Sequence, residues 1–150
     1  MAENTIKPRI TEAMKDAMRA KDKDRLGAIR LILADVKRIE VDERIEVDDE
    51  RMLVILDRMI KQRRDSISQY QNAARPELAD REQAEIDVIQ EFLPAQLSEA
   101  ELQQLIGDAI AASGAESMKD MGKVMAALKP QVQGRADVGA VSQAVKKRLG

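Results

Sequence analysis

Apolar residues recur every three or four positions along nearly the whole chain, and this spacing is the signature of amphipathic helices. Up to residue 93 it predicts four helices, over about 6–20, 23–44, 49–73 and 76–93. After residue 98 it predicts three more, over about 99–113, 117–133 and 138–149. The sequence has no sustained alternation of apolar and polar residues and no Asn-Gly turn, which are the usual signs of strands. We therefore expect an all-α protein.

The prolyl segment Pro94-Ala95-Gln96-Leu97 separates the two groups of helices. Short connections favour antiparallel packing of neighbouring helices. We therefore expect an N-terminal four-helix bundle over residues 1–94 and a smaller C-terminal three-helix tail domain over residues 98–150. Residues 94–97 are the predicted hinge between them.

Local signals mark several helix ends. Ser98 and Glu101 fit a capping box at the start of the fifth helix, and Gly114 is predicted to end that helix in a left-handed conformation. Gly134 and Asp137 fit the end of the sixth helix and the N-cap of the seventh. The connection between the last two helices is therefore predicted to be a defined turn.

Two charged features of the first part have structural interpretations. Asp48 is a good N-cap for the third helix, and the acidic Asp49 behind it suits a helix N-terminus. Arg63 falls on the apolar stripe of the third helix. We expect it to form an internal ion pair with an acid of the fourth helix, such as Glu82 or Glu85.

The amino-acid composition excludes several kinds of site. The chain contains no histidine and no cysteine, so we expect no metal site, no His- or Cys-dependent nucleophile and no catalytic residue of that kind. Tyr70 and Phe92 are the only aromatic residues, which excludes a stacking platform for single-stranded nucleic acid. No cofactor is expected, and catalysis by the chain alone is disfavoured.

The sequence also carries no membrane or export signal that we can identify. Its longest apolar run is the five residues 52–56, far too short to cross a bilayer. The first residues show no basic patch that leads into an apolar stretch. On this basis we expect a cytoplasmic protein without membrane contact.

Positive charge is concentrated near the C-terminus. The whole chain has a net charge of −2, but residues 117–150 hold seven basic and two acidic residues. The basic residues are Lys119, Lys123, Lys129, Arg135, Lys146, Lys147 and Arg148. Such a local excess suits one phosphate-rich, shaped ligand better than indiscriminate nucleic-acid binding.

Gly122 and Arg135 have no clear structural task in the sequence. A glycine in a first helical turn costs about 1 kcal/mol relative to alanine, and either close helix packing or close approach of a ligand would explain it. Helix N-termini bind phosphate, and Lys123 lies beside this one. The candidate nucleic-acid-binding residues are therefore Lys119, Gly122, Lys123, Lys129, Arg135, Lys146 and Lys147.

Four stretches of the chain resemble the GatB/YqeY family. They are KDAMRAKDKDRLGAIRLILADVK (15–37), KQRRDSISQYQNAAR (61–75), EFLPAQLSEAEL (91–102) and KDMGKVMAALKPQVQGRADVGAVSQAVKKRL (119–149). The motifs fall in order and cover nearly the whole chain. The freestanding members of the family resemble the C-terminal region of the B subunit of the Asp/Glu-tRNA amidotransferase.

The resemblance implies a fold and a partner. In the amidotransferase, a carbon–nitrogen ligase with glutamine as amido donor, this region is a four-helix bundle followed by a three-helix tail that helps to hold tRNA. It implies that this chain contacts tRNA. It also implies that amidotransferase or synthetase subunits are its protein partners. It implies no catalysis by the chain alone, because the catalytic sites of the amidotransferase lie in parts that this chain lacks.

Two function classes follow from the sequence and the resemblance. The first is a non-catalytic tRNA-binding module that recognises shape and phosphate, since nothing in the tail can stack on bases. The second is a protein-interaction adaptor without a nucleic-acid ligand, whose tail offers an apolar groove to a partner helix. The oligomeric state is not specified by the sequence.

Overall fold

Seven α-helices and one 3₁₀ turn account for the regular structure of residues 4–150, the part of the chain that the computed structural model describes, and no strand occurs there. The prediction of an all-α protein is confirmed. The helices are α1 (Ile6–Arg19), α2 (Lys23–Glu43), α3 (Asp49–Asn72), α4 (Pro76–Gln90), α5 (Glu99–Ser113), α6 (Met121–Val132) and α7 (Val138–Leu149). None of these described helices combines the length and the apolarity needed to cross a membrane.

The chain divides into two compact units between Leu93 and Pro94. Helices α1–α4 form the first unit around a core made largely of isoleucine, methionine and valine. Helices α5–α7, which we call the tail, enclose a separate core of Ile106, Ala109, Val124, Leu128, Val132, Val141 and Val145. Each unit therefore buries its own apolar residues, as the helical spacing of those residues requires.

Two adjacent aspartates hold the starts of two different helices in the first unit. Asp48 caps α3, since its side chain accepts a hydrogen bond from the Arg51 backbone N–H at 2.9 Å. Asp49 instead caps α1: its carboxylate accepts from the backbone N–H groups of Thr5 and Ile6, both at 2.8 Å, and from the Thr5 hydroxyl at 2.6 Å. The prediction for Asp48 is confirmed, whereas the role of Asp49 at α1 was not predicted.

Glu40 makes a second tie between distant parts of the first unit. Its carboxylate accepts from Lys7 Nζ of α1, at 2.8 and 3.0 Å, and from the Val47 backbone N–H at 3.0 Å. Since Val47 lies in the loop between α2 and α3 and is fully buried, one carboxylate fixes three segments. The hydrogen bond from Lys7 is the main reason that the pKa of Glu40 is lowered, and the Val47 N–H adds to it.

Arg63 forms the internal ion pair that its position on the apolar stripe predicts. Its Nε lies 2.9 Å from Glu85 Oε2 of α4, and its Nη1 donates to the Met59 carbonyl at 3.2 Å. Both side chains of the pair are at most 24% exposed. The pair therefore neutralises the charge of Arg63 at the edge of the core. Its partner is Glu85 and not Glu82.

Helix ends differ from the sequence predictions at two places. Helix α4 ends at Gln90 and not at about residue 93, because the chain tightens into i→i−3 hydrogen bonds after it, and Phe92 is buried in the core. Leu93 precedes a proline, which also disfavours helical geometry. Helix α6 begins at Met121, since residues 118–120 form the 3₁₀ turn ahead of it.

We expect Asp49→Ala to lower the free energy of unfolding by about 1–2 kcal/mol, as the loss of a helix cap does. Burial alone raises the pKa of Asp49, but the hydrogen bonds from Ile6 and Thr5 outweigh it and leave the pKa below its usual value of 3.8. A carboxyl with a lowered folded pKa stabilises above its unfolded pKa, and that contribution is lost as the pH falls through the folded pKa. Urea unfolding at neutral pH and at pH values below about 4 measures both effects.

The matched control is Asp65→Ala, since Asp65 is an exposed residue of the same helix and has no polar partner among the described residues. It should change stability by less than about 0.5 kcal/mol. The assignment of Asp49 to α1 is wrong if the two variants unfold alike and keep the same acid dependence.

Candidate nucleic-acid interface

The turn between α6 and α7 is closed by its own backbone. The Val132 carbonyl accepts from the N–H groups of Arg135 and Ala136, at 2.8 and 3.0 Å. Gly134 is buried and has a φ of +77°, a conformation that favours glycine. Asp137 then caps α7 by accepting from the Gly139 N–H at 3.1 Å. The predicted roles of Gly134 and Asp137 are both confirmed.

Three hydrogen bonds join this turn to residues 95–97. The Leu97 N–H donates to the Arg135 carbonyl at 2.9 Å, and Gln96 Nε2 donates to the Gly134 carbonyl at 3.1 Å. Arg135 Nε in turn donates to the Ala95 carbonyl at 3.0 Å. Most of the segment predicted as a hinge is therefore bonded to the tail, and the hinge motion itself stays a prediction.

Arg135 has a structural partner that the sequence did not reveal. Besides its bond to Ala95, it borders an open groove of about 430 Å³ whose other lining residues are Leu97, Ala100, Glu101, Gln104 and Leu105. The pKa of Glu101 is lowered mainly by the hydrogen bonds from the Ser98 backbone and hydroxyl, with a smaller effect from the Arg135 charge. The capping box of Ser98 and Glu101 is present as predicted.

The start of α6 presents a different basic group. Lys119 lies in the 3₁₀ turn and Lys123 in the first turn of α6, and both are exposed. Lys123 Nζ is 4.0 Å from Asp120 Oδ1, but its side chain is 73% exposed, so this pair is weak. No side chain caps the start of α6.

Gly122 lies between these two lysines and has space around it. A Cβ atom added to Gly122 would meet nothing within 4 Å, apart from the backbone of its own helix. Close helix packing therefore does not explain this glycine, and the approach of a ligand to Gly122 stays a prediction.

Lys146 and Lys147 lie in the last turn of α7 and are exposed. Val141 and Val145 mark the buried face of this helix, and at 100° per residue Lys147 lies on the opposite face. Arg148, which follows, donates to Gln103 Oε1 of α5 at 2.7 Å and so has a partner within the tail. The two lysines are thus the basic residues of α7 that a ligand would meet.

The candidate residues fall into two groups along α6. Lys119, Gly122 and Lys123 lie at its start, whereas Lys129 and Arg135 lie at or beyond its last turn. Twelve residues of helix separate the two ends by about 18 Å. Helix α7 has the same number of residues, packs on α6 and runs back from the short turn, so Lys146 and Lys147 lie away from Arg135.

Metal chemistry has no support in the described residues. Residues 4–150 contain no group of three or more histidine, cysteine, aspartate or glutamate side chains placed to hold a metal ion. The tail offers cations and backbone amides, and these suit an anionic ligand.

Comparison with known proteins identifies relatives over almost the whole chain. The family model of Yqey-like proteins matches residues 7–149. A protein of Pyrenophora tritici-repentis named altered inheritance of mitochondria protein 41, mitochondrial, is 30% identical over 99% of this chain and 83% of its own length. Proteins of the same name from Vanderwaltozyma polyspora and Saccharomyces cerevisiae are 31% and 35% identical, over 72% and 53% of this chain. The matches span 62% and 44% of the length of those two relatives.

The names of these relatives correct one prediction from the sequence. We expected a cytoplasmic protein because the first residues show no basic patch before an apolar stretch. The relatives are named as mitochondrial proteins, so the plain cytoplasmic assignment is wrong. The absence of one export pattern does not identify a compartment, since transit peptides follow a different pattern.

We expect Gly134→Ala to lower the free energy of unfolding of the tail by about 1–2 kcal/mol, because alanine is strained at positive φ. Gly122→Ala is the matched control, since Gly122 is helical and has open space around it. The free energy of unfolding of that variant should rise by up to about 1 kcal/mol. Denaturant unfolding followed by circular dichroism measures both. Equal stability of Gly134→Ala and the wild type would contradict the role assigned to this turn.

Proposed function

Because the chain belongs to the family of Yqey-like proteins, we propose that its tail binds tRNA through the phosphate backbone. The binding surface consists of Lys119 and Lys123 with the amides near Gly122, extended by Lys146 and Lys147. Lys129 and Arg135 form a second, weaker point of contact at the other end of α6. The proposal makes the protein a non-catalytic binding module.

The observation that carries this proposal is the absence of ion-pair partners around the lysines of the tail. Within residues 4–150, Lys119, Lys129, Lys146 and Lys147 have no carboxylate within 4.0 Å, and Lys123 has only the long contact to Asp120. In the first unit, pairs such as Lys7–Glu40 and Arg63–Glu85 tie helices together, although exposed cations such as Lys61 have no such partner. Cations that no carboxylate neutralises can neutralise phosphates and release their counterions.

The chemistry of the tail favours recognition of shape. Both aromatic residues, Tyr70 and Phe92, lie outside the tail, so it has no ring on which a base could stack. Flexible lysines act as point charges and do not read base edges in a fixed geometry. A structured RNA that presents phosphates at fixed positions is therefore the ligand that these residues suit. Folded tRNA has that property.

The resemblance to the amidotransferase B subunit suggests where such a module acts. A tail that holds tRNA would serve aminoacyl-tRNA amidation, with the catalytic subunits supplied by other chains. Synthetase or amidotransferase subunits are the protein partners that follow from this view.

We expect the purified protein to form no amide product from glutamine, ATP and a misacylated tRNA. The described residues offer no nucleophile of the histidine or cysteine type, and a binding module needs none. The assay separates the amide products, glutaminyl-tRNA and asparaginyl-tRNA, from their glutamyl and aspartyl precursors. Turnover without added subunits would overturn the non-catalytic assignment.

A protein-interaction adaptor is the second candidate function, and the groove beside Arg135 favours it. Leu97, Ala100 and Leu105 give this groove an apolar floor of the kind that accepts a partner helix. A pull-down with and without RNase distinguishes the two functions. A partner that stays bound after RNase treatment supports the adaptor, and one that is lost supports the tRNA-binding module.

We expect Lys123→Ala and Lys147→Ala to weaken tRNA binding by a similar factor for unrelated tRNAs, because phosphate contacts carry no sequence information. Each variant should reduce the slope of log affinity against log salt by about one. The measurement is fluorescence anisotropy of labelled tRNA over a salt series. Gly122→Ala should also weaken binding while it stabilises the fold, since a methyl group would stand where the backbone phosphate approaches.

Lys61→Ala is the matched control for these variants. Lys61 is an exposed lysine of α3, in the first unit, and has no ion-pair partner among the described residues. It should bind tRNA as the wild type does. If Lys123→Ala and Lys147→Ala bind equally well, or if the wild type binds no tRNA at low salt, the proposal is wrong and the adaptor becomes the leading function.

A further inference from the structure

Helix α2 carries apolar residues on two opposite faces. One face is buried in the core of the first unit and consists of Ala28, Ile29, Ile32, Val36 and Ile39. On the side away from that core, Leu31 and Val41 are 46% and 63% exposed, although both have large apolar side chains. A helix that is apolar on its exposed side as well as on its buried side has a surface on which a second helix can pack.

The exposed residues of α2 repeat with the spacing of a heptad. Steps of four, three, four and three residues connect Gly27, Leu31, Ala34, Arg38 and Val41, which we call the α2 seam. All five are exposed in the structure. Steps that alternate between three and four residues are the pattern by which two helices pair in a left-handed coiled coil. Ile45, which is 41% exposed, follows at the next step, just beyond the end of α2.

Charged residues border the α2 seam in two rows. One row, at the g positions of the heptad, consists of Arg30 and Lys37, and the other, at the e positions, consists of Asp35 and Asp42. Within residues 4–150, Arg30, Lys37 and Asp42 have no oppositely charged group within 4.0 Å. Asp35 has only a 3.7 Å contact with Arg38, in an exposed pair that contributes little. Both rows are therefore able to pair with charges of another molecule.

The order of these charges favours one partner and one direction. In a parallel pair of identical helices, each g residue faces the e residue that lies five positions further along the other helix. Arg30 then faces the second copy's Asp35, and Lys37 faces the second copy's Asp42. Two-fold symmetry repeats both ion pairs. In an antiparallel pair, g faces g and e faces e, so cations would meet cations and carboxylates would meet carboxylates.

We propose that α2 pairs in parallel with α2 of a second copy of this chain, through the α2 seam. Leu31 and Val41 each meet the same residue of the second copy across the two-fold axis, which removes their apolar surface from water. Gly27 and Ala34 have small side chains, so the two helices can approach closely there. Arg38 is the one charged residue in the seam, and such a residue costs stability but restricts the register and the oligomeric state.

Sedimentation velocity over a dilution series from millimolar to micromolar protein tests the self-association. The seam is about 21 Å long, so the interface is small and we expect a weak dimer. The mass should rise from 16.7 kDa towards twice that value as the concentration increases. Val41→Glu should abolish the rise, because it would bury a charge in the seam, and circular dichroism checks that the variant folds. A wild-type protein that stays monomeric at millimolar concentration overturns the proposal.

Charge reversal tests the ion pairs and their direction. Lys37→Glu should raise the dissociation constant of the dimer about tenfold, because two symmetric attractions become repulsions. The double variant Lys37→Glu/Asp42→Lys should return the constant to near its wild-type value, since opposite charges face each other again. Lys61→Glu is the matched control on α3 and should leave the constant unchanged. The proposal is wrong if Lys37→Glu strengthens the dimer, as antiparallel helices require, or if the double variant does not recover.

Introduced cysteines report the register, because the chain has no cysteine of its own. In the parallel dimer Val41 lies opposite Val41 of the second copy, at the short Cα separation that a disulfide needs. Val41→Cys should therefore form a disulfide-linked dimer with oxidised glutathione as the oxidant. Val54→Cys, at an exposed valine of α3, should not. Equal cross-linking of the two variants, or none with Val41→Cys, contradicts the proposed pairing.

These tests are separate from those of the proposed function. Every variant lies in the first unit and no RNA is present, so a failure to dimerise leaves the proposed tRNA surface of the tail untouched. A failure to bind tRNA equally leaves the α2 seam untouched.

Discussion

The tail is closed by three hydrogen bonds between residues 95–97 and the turn before α7, among them the backbone bond from the Leu97 N–H to the Arg135 carbonyl. A three-helix unit with a core cluster of seven buried apolar residues has a small core, and small cores need their helices held in register. This bond joins the segment before α5 to the turn between α6 and α7, so it closes the tail at one end. Gly134, with its positive φ, and Asp137, which caps α7, shape the turn so that the Arg135 carbonyl faces Leu97. This closure and the apolar core together hold α6 and α7, which carry most of the lysines of the tail.

The two units use charge in different ways. In the first unit, carboxylates such as Glu40, Asp49 and Glu85 each satisfy donors from a distant segment, so the charges contribute to folding. In the tail, helix caps and backbone bonds hold the structure, and the lysines remain outside it. Exposed cations without a carboxylate partner occur in both units, and what distinguishes the tail is its local excess of basic over acidic residues.

Local signals in the sequence predicted most of the fold, because capping residues and helical periodicity act over a few residues. Ser98, Gly114 and Asp137 have the roles that their residue types suggest. The ends of three helices were not predictable in this way. Lys21, Arg44 and Ala74 take positive φ at these ends although none is glycine, and their residue types do not predict that conformation. Long-range ties were equally hidden, as the cap of α1 by Asp49 lies 43 residues away along the chain. The site was predicted as a list of cations, but its division between the two ends of α6 needed the structure.

This division changes what each cation can reveal about function. Arg135 is a candidate in the sequence because it caps no helix. In the structure its Nε donates to the Ala95 carbonyl. Removal of the Arg135 side chain would therefore disturb the closure of the tail as well as any ligand contact. Lys123 and Lys147 have no such structural bond, and their removal reports on a ligand alone. Gly122 is a different case. Helices disfavour glycine, and the open space around Gly122 shows that close packing is not the reason for it here. The open space at Gly122 adjoins the two lysines at the start of α6, which is why the proposed phosphate contact is tested at all three residues.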